Sequence, residues 1–275
     1  MSLDELRPHP RLVTNMVSLP RDLPLDEGLD RLLAAGLRRV GVSSDAIHAL
    51  GWERGVELLA ASDAEVVYVL HRAMFTLEDP DRWPTQQARV RRTLDAAATL
   101  GVGIVYATTG PGGALDFDEA ARRLCRAIAP VVEHAEALGV RLLLETTNPQ
   151  FADIDLLHTV RDTVAAARAT GTGVCLDVHA GWTDSSLEDL IREALPSIGL
   201  VQLSDYVPGT RTLDRAVPGD GIIPLERIVG RLLEAGYDGP FDLELFGDQG
   251  EDDVDALRRA ARYMTEILDR LPAAV

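Results

Sequence analysis

Five times along this chain an apolar-periodic segment ends in glycine and runs straight into a short β-branched stretch. The boundaries read LLAAG-LRRVGV at Gly36, AATLG-VGIVYAT at Gly101, EALG-VRLLLE at Gly139, ARATG-TGVCLD at Gly171 and LEAG-YDGPFDLEL at Gly236. Glycine just past a helix end takes the left-handed conformation that closes the last turn. The runs that follow are too short for helices and too continuously apolar for half-exposed strands, so they predict buried parallel strands. Eight strand candidates emerge, near 11–17, 38–43, 65–71, 103–108, 141–146, 173–179, 198–204 and 240–246, with helical patterns between them. Eight alternations in 275 residues predict a single (β/α)8 TIM barrel domain over 1–275, since such barrels run to roughly 250 residues as one unit. An open doubly wound sheet is the alternative, because a sequence does not display strand order.

Local signals agree with the helical segments. In the last one Val254, Leu257, Ala261, Met264, Ile267 and Leu268 recur at three- and four-residue steps and give one apolar face. Ser185 and Glu188 have the spacing of a capping box, and Pro224 suits the start of the seventh helix.

Charge and leader signals narrow the function. With 44 acidic against 27 basic residues and a formal net charge of −17, most of the surface repels a polyanion, so no nucleic-acid partner is expected. A small anionic substrate is compatible, because a local arginine or metal ion dominates the field inside a pocket. No stretch reaches the roughly 18 uninterrupted apolar residues of a membrane helix, and the start MSLDELRPHPRL lacks the apolar core of a signal peptide. Cys125 and Cys175 are too few for a disulfide framework. A reduced, cytoplasmic protein is expected.

Four consecutive predicted strands then end in polar groups after apolar runs: RLLLE at Glu145, GVCLD at Asp177, GLVQ at Gln202 and DLE at Glu244. Carboxylates converging at the low-dielectric mouth of a barrel repel each other unless protonated or neutralised. The expectation is that Glu145, Asp177, Gln202 and Glu244 surround one divalent metal ion at the C-terminal ends of strands 5–8. An all-oxygen set favours Mg²⁺ or Mn²⁺, with Co²⁺ and Zn²⁺ also able to occupy it. Ion pairs with arginines are the alternative account. Strand alternation puts Cys175, Asp177 and His179 on one face, and Leu200, Gln202 and Ser204 on another, with Asp205 pointing away unless a bulge intervenes. Asp242 shares parity with Glu244 but is expected at the start of its strand, without a role. His71, closing the third strand, is a candidate substrate contact. So is Trp182, as an aromatic rim after the sixth strand.

With these residues placed, the chain resembles the xylose-isomerase-like barrels that include sugar-phosphate isomerases and epimerases. LLLETTNP is similar to the family's fifth-strand Glu motif, which implies a ligand at Glu145 and a polar neighbour at Asn148. CLDVHAGW is similar to its Asp–His element and implies Asp177 as ligand and His179 as substrate contact. DRAVPGDG is similar to its Arg-x-x-Pro-Gly-x-Gly loop and implies Arg215 as a substrate-oxygen or phosphate contact, while FDLELFG supplies Glu244. The resemblance implies a metal-dependent isomerase or epimerase of a small polyhydroxy carbonyl compound, with Glu145 and Glu244 moving the proton through an enediolate, in a chain that associates as a homodimer. Two departures stand out: Gln202 replaces the usual His, and the sixth-strand spacing is Asp-x-His instead of Asp-x-x-His. Dehydratases of the family also carry Gln there, so the alternative is a metal-dependent lyase acting on a cyclic keto-alcohol such as dehydroshikimate or inosose. An apurinic-site endonuclease, which shares the barrel, needs a basic groove and a His-rich zinc site, and this chain has only six His. A binding-only barrel that keeps the metal is the remaining reading.

Overall fold

The computed structural model describes residues 6–209 and 213–271. Strands β1 (Leu12–Asn15), β2 (Arg39–Ser43), β3 (Glu65–His71), β4 (Ile104–Ala107), β5 (Arg141–Glu145), β6 (Gly173–Asp177), β7 (Ile198–Leu203) and β8 (Phe241–Leu243) pair in chain order, all parallel. Strand β8 closes on β1, with Leu12 opposite Phe241 and Thr14 opposite Leu243. This is a closed (β/α)8 TIM barrel, and the open-sheet alternative is excluded. The described helices are α1 (Leu25–Ala34), α2 (Ser44–Leu50), α3 (Trp52–Ala61), α4 (Trp83–Thr99), α5 (Phe117–Leu138), α6 (Val160–Thr170), α7 (Val178–Gly181), α8 (Leu187–Ala194), α9 (Leu225–Ala235) and α10 (Asp253–Arg270).

The glycine boundaries do what their position demands. Gly139 and Gly236 cap α5 and α9 at φ 69° and 98°, and each amide returns to carbonyls of the last turn. Alternation along the strands divides the apolar side chains between two compartments. Val40, Val69, Leu142, Leu144, Val201 and Leu243 face outward into a large core shared with the helices. Val13, Tyr68, Leu70, Tyr106, Leu143, Cys175 and Leu200 fill the barrel itself. The buried face of α10 includes Leu257, Ala261, Met264, Ile267 and Leu268, as their spacing predicts.

Three local expectations are corrected. Helix α8 has Ser186 as its N-cap, at φ 61° and with no side-chain cap bond, so the Ser185–Glu188 capping box is not formed. Glu188 pairs instead with Arg227 and Arg231. Pro224 is the N-cap of α9, as its placement suggested. Strand β6 ends at Asp177 and continues as the helical turn α7, so strand alternation does not govern His179.

The third correction concerns His71. A register shift pairs Val40 with Val66 but Gly41 with Tyr68, which turns Tyr68 and Leu70 inward and His71 outward. Its Nδ1 lies 2.8 Å from Thr93 Oγ1 of α4 and 3.5 Å from Ser44 Oγ of α2. His71 is therefore a buried residue of the helix layer and faces away from the barrel interior, where a substrate contact was expected of it.

Burial, and secondarily the charge of Arg89, push the His71 imidazole down to about 3. An unfolded His titrates near 6.5, so below that pH the unfolded chain takes up a proton that the folded chain refuses. Stability contributed by neutral His71 is whole above pH ~6.5 and declines on acidification toward pH ~3, by up to about 1.4 kcal/mol per pH unit. A His71→Gln variant should show a shallower acid limb than the wild type when denaturant midpoints are measured from pH 7 to 4; parallel limbs would refute this. Inside the barrel, Tyr68 occupies the space a side chain at Gly41 would need, since an added Cβ would lie 1.8 Å from the Tyr68 ring. Gly41→Ala should therefore lower stability by roughly 1–3 kcal/mol, read from thermal unfolding, whereas an unchanged midpoint would show that the ring has room to move.

Candidate metal centre

Strands β5, β6, β7 and β8 continue the inward faces of Leu143, Cys175 and Leu200 with Glu145, Asp177, Gln202 and Glu244. All four are buried. Glu145, Asp177 and Glu244 each offer an oxygen within 4.8 Å of the others. The carboxylate of Glu145 has no hydrogen-bond partner among the described residues. Gln202 lies beside the three. Its Nε2 donates to Tyr106 Oη at 3.2 Å and to Asp242 Oδ2 at 3.4 Å, and its Oε1 accepts from Cys175 Sγ at 3.4 Å.

Among the described residues, one buried cation serves this cluster. Arg215, 2% exposed, donates from Nη1 to Glu244 Oε2 at 2.6 Å. Its Nη2 stands 2.7 Å from Asp177 Oδ2 as a charge contact without hydrogen-bond alignment. The guanidinium also lies over the Phe246 ring at 4.8 Å, and its backbone N–H donates to Phe246 O at 2.9 Å. Burial weakens its hold on the proton, but Asp177, Glu244 and Glu145 outweigh that and raise it above its usual range. The arginine alternative raised by the sequence is thus half realised: one arginine is shared by two of the carboxylates.

The shared arginine does not balance the charge. Asp242 is also fully buried, so among the described residues four buried carboxylates at this site stand against one buried guanidinium. Burial, then the nearness of Glu244 and Asp177, raise Glu145 far above the carboxylate range, with Arg215 opposing. Burial likewise lifts Glu244 to about 7, with Arg215 pulling down and Asp177 pushing up. A divalent cation would relieve the same crowding that raises these groups. The donor set fits such an ion: three carboxylates in mutual reach, and an amide oxygen whose only partner among the described residues is a weakly donating thiol.

The remaining candidates are distributed around this centre. His179 donates its backbone N–H to Asp177 Oδ1 at 2.9 Å. Its ring, 6.2 Å from that of Tyr206, is mostly buried with neither nitrogen bonded. Burial, then Arg215, lower its pKa against the pull of Asp177 and Asp205. Asn148 accepts from the Gln150 amide at 3.0 Å and caps the short turn Pro149–Phe151, so its oxygen is engaged in shaping the loop. Trp182 is half-buried against the strand–helix core. Asp205 bonds the amides of Tyr206, Gly219 and Ile223 at 2.8–2.9 Å. It fastens the loop that delivers Arg215.

Four contributors were not anticipated. Asp242, expected at the start of its strand without a role, lies at the middle residue of β8 and is wholly enclosed. It accepts from Tyr68 Oη at 2.7 Å and from Asn15 Nδ2 at 3.1 Å. Asn15 Nδ2 also reaches Glu244 Oε1 at 2.9 Å and Tyr106 Oη at 3.1 Å. The available signal was parity: Asp242 is two residues before Glu244, and Asn15 closes β1 beside it.

Comparison with known proteins follows from this geometry. The model of the xylose isomerase-like TIM barrel family matches residues 21–267. A Streptomyces coelicolor protein provisionally named hydroxypyruvate isomerase is 29% identical over 186 residues, which cover 61% of this chain and 64% of that relative. Among solved structures, IolI with a bound zinc atom superimposes with a TM-score of 0.78 at 17% identity, covering 95% of this chain and 99% of that one. D-psicose 3-epimerase with D-tagatose, from Clostridium cellulolyticum H10, gives 0.74 at 18% identity, covering 94% and 97%. Since the family model spans most of the chain and the barrel matches the solved structures almost end to end, this protein belongs to the xylose isomerase-like TIM barrel family.

Proposed function

We propose that this chain is a divalent-metal-dependent isomerase or epimerase of a small polyhydroxy carbonyl compound, a sugar or sugar phosphate. The observation that carries the reading is the buried triad of Glu145, Asp177 and Glu244, with oxygens in mutual reach at the end of the barrel where such enzymes place their chemistry. The names of the relatives agree in substrate class, because hydroxypyruvate and psicose both carry a hydroxyl beside a carbonyl.

Glu145, Asp177 and Glu244 would hold the ion, with Gln202 as a neutral fourth donor. A divalent ion there supplies Lewis acidity, drawing electron density from the substrate carbonyl and acidifying the neighbouring C–H. The chain's own groups do the rest. Glu145, the carboxylate without a hydrogen-bond partner, takes the proton from carbon. Glu244, just past the end of β8 and held by Arg215 and Asn15, returns one. Arg215 offsets negative charge on the substrate oxygens of the enediolate, and the neutral ring of His179 offers a hydrogen bond to a hydroxyl. A hydroxyl placed β to the carbonyl could instead be expelled by the same groups, which would make the enzyme a dehydratase.

The test is solvent-deuterium incorporation with Mn²⁺ or Mg²⁺ present, screened over ketoses, sugar phosphates, hydroxypyruvate, inosose and dehydroshikimate. Deuterium should enter the carbon next to the carbonyl of at least one substrate, and chelator should abolish it. Glu145→Gln and Glu244→Gln should each lower the rate by at least ~10²-fold. Without metal, Glu145→Gln should melt no lower than the wild type, since it removes a buried carboxyl whose ionisation burial and its neighbours oppose. Exchange that survives both substitutions would overturn the proton-transfer roles. Appearance of an ultraviolet-absorbing enone without reversible exchange would replace the isomerase reading by the lyase.

A further inference from the structure

A glutamine that is to give oxygen to a cation must be held the right way round, because its carbonyl and amino ends are nearly equal in size. The surroundings of Gln202 decide this. Tyr106 Oη donates to Glu244 Oε1 at 3.3 Å, which leaves its lone pairs for Gln202 Nε2 at 3.2 Å. Asp242 Oδ2 takes the same nitrogen at 3.4 Å. Asp242 is itself held, with Oδ1 on the Tyr68 hydroxyl at 2.7 Å and Oδ2 on Asn15 Nδ2 at 3.1 Å. Asn15 is anchored in its turn by the Val17 N–H on its Oδ1 at 3.2 Å. Asn15 Nδ2 and Tyr106 Oη also donate to Glu244 Oε1, while Gln202 Oε1 is left with the Cys175 thiol at 3.4 Å.

We propose that Asp242 is a positioning residue: its buried carboxylate turns the Gln202 amide nitrogen to the floor and so presents the oxygen as the fourth donor to a divalent cation. The inference rests on the metal-dependent reading above and explains how a glutamine can stand where relatives of the resembled group carry histidine. Shape alone does not require a carboxylate here, since asparagine fills the same space. Beside Tyr106 Oη, which holds the same nitrogen, a carboxylate adds an acceptor that offers no N–H in return and so favours one orientation of the neighbouring amide.

The experiment is a Mn²⁺ titration of the full chain after chelator treatment, following free Mn²⁺ by electron paramagnetic resonance, alongside thermal unfolding without metal. Asp242→Asn keeps the shape and the Tyr68 bond but offers both an oxygen and an N–H, so the Gln202 amide keeps Tyr106 as acceptor and loses the carboxylate that fixes its orientation. It should bind Mn²⁺ about 10–100-fold more weakly while melting no lower than the wild type. In a Gln202→Met background, itself weaker in Mn²⁺ binding, the same change should alter affinity by less than about twofold, because effects through a shared partner do not add. Asp242→Ser should show the same pattern and serves if Asp242→Asn does not fold. Equal affinity of Asp242→Asn and wild type, or an undiminished loss in the Gln202→Met background, would overturn this inference alone. A wild type that binds no Mn²⁺ would overturn it together with the metal-dependent reading.

Discussion

Crowded negative charge in a dry place is the constraint on which this molecule turns. Glu145, Asp177, Asp242 and Glu244 are enclosed at one end of a barrel whose walls are otherwise apolar. In such surroundings an ionised carboxylate is costly unless paired and hydrogen-bonded. Among the described residues the answer is one guanidinium, that of Arg215, shared between Asp177 and Glu244. The chain adds a web of neutral donors, Asn15, Tyr68, Tyr106 and Gln202, around Asp242 and Glu244. Glu145 receives neither. The residue least compensated by the protein is also the one facing the space where a cation and a substrate would meet.

The site is therefore layered. At the bottom, the ring of Tyr68 fills the void at Gly41 and aims its hydroxyl at Asp242. Above that, Asn15, Tyr106 and Gln202 connect Asp242 to Glu244. The carboxylate triad comes next, and Arg215 closes it from a loop that Asp205 fastens through three backbone amides. Strands supply the fixed ligands and the loop after β7 supplies the counter-charge.

Much of this was legible in the residues. The glycine boundaries marked strand starts because a left-handed helix end is a local, nearly obligatory device. Glu145, Asp177, Gln202 and Glu244 stood out because a polar group ending a wholly apolar run is conspicuous. What escaped notice depended on tertiary facts. The outward turn of His71 follows from a register shift between β2 and β3, which no single strand announces. Asp242 looked peripheral because its donors, Tyr68 and Asn15, lie 174 and 227 residues away. The Ser185 capping box failed because Ser186 adopts φ 61° and opens the helix one residue later. His179 does stand beside Asp177, but through a helical turn, so the reasoning by alternation reached the right neighbourhood by the wrong route.

The order in which the chain delivers its charges matters for how the barrel can be assembled. Strands β1 to β7 bring in Glu145 and Asp177, and Arg215 follows before β8 begins. The last strand, only three residues long, then carries Asp242 and sets Glu244 beside it, while also completing the seam with β1. Mutual repulsion is thus concentrated on the final join, the shortest strand of the circle. A mutation that weakens the pairing of β8 with its neighbours would open the ring at the point where it is already under electrostatic load.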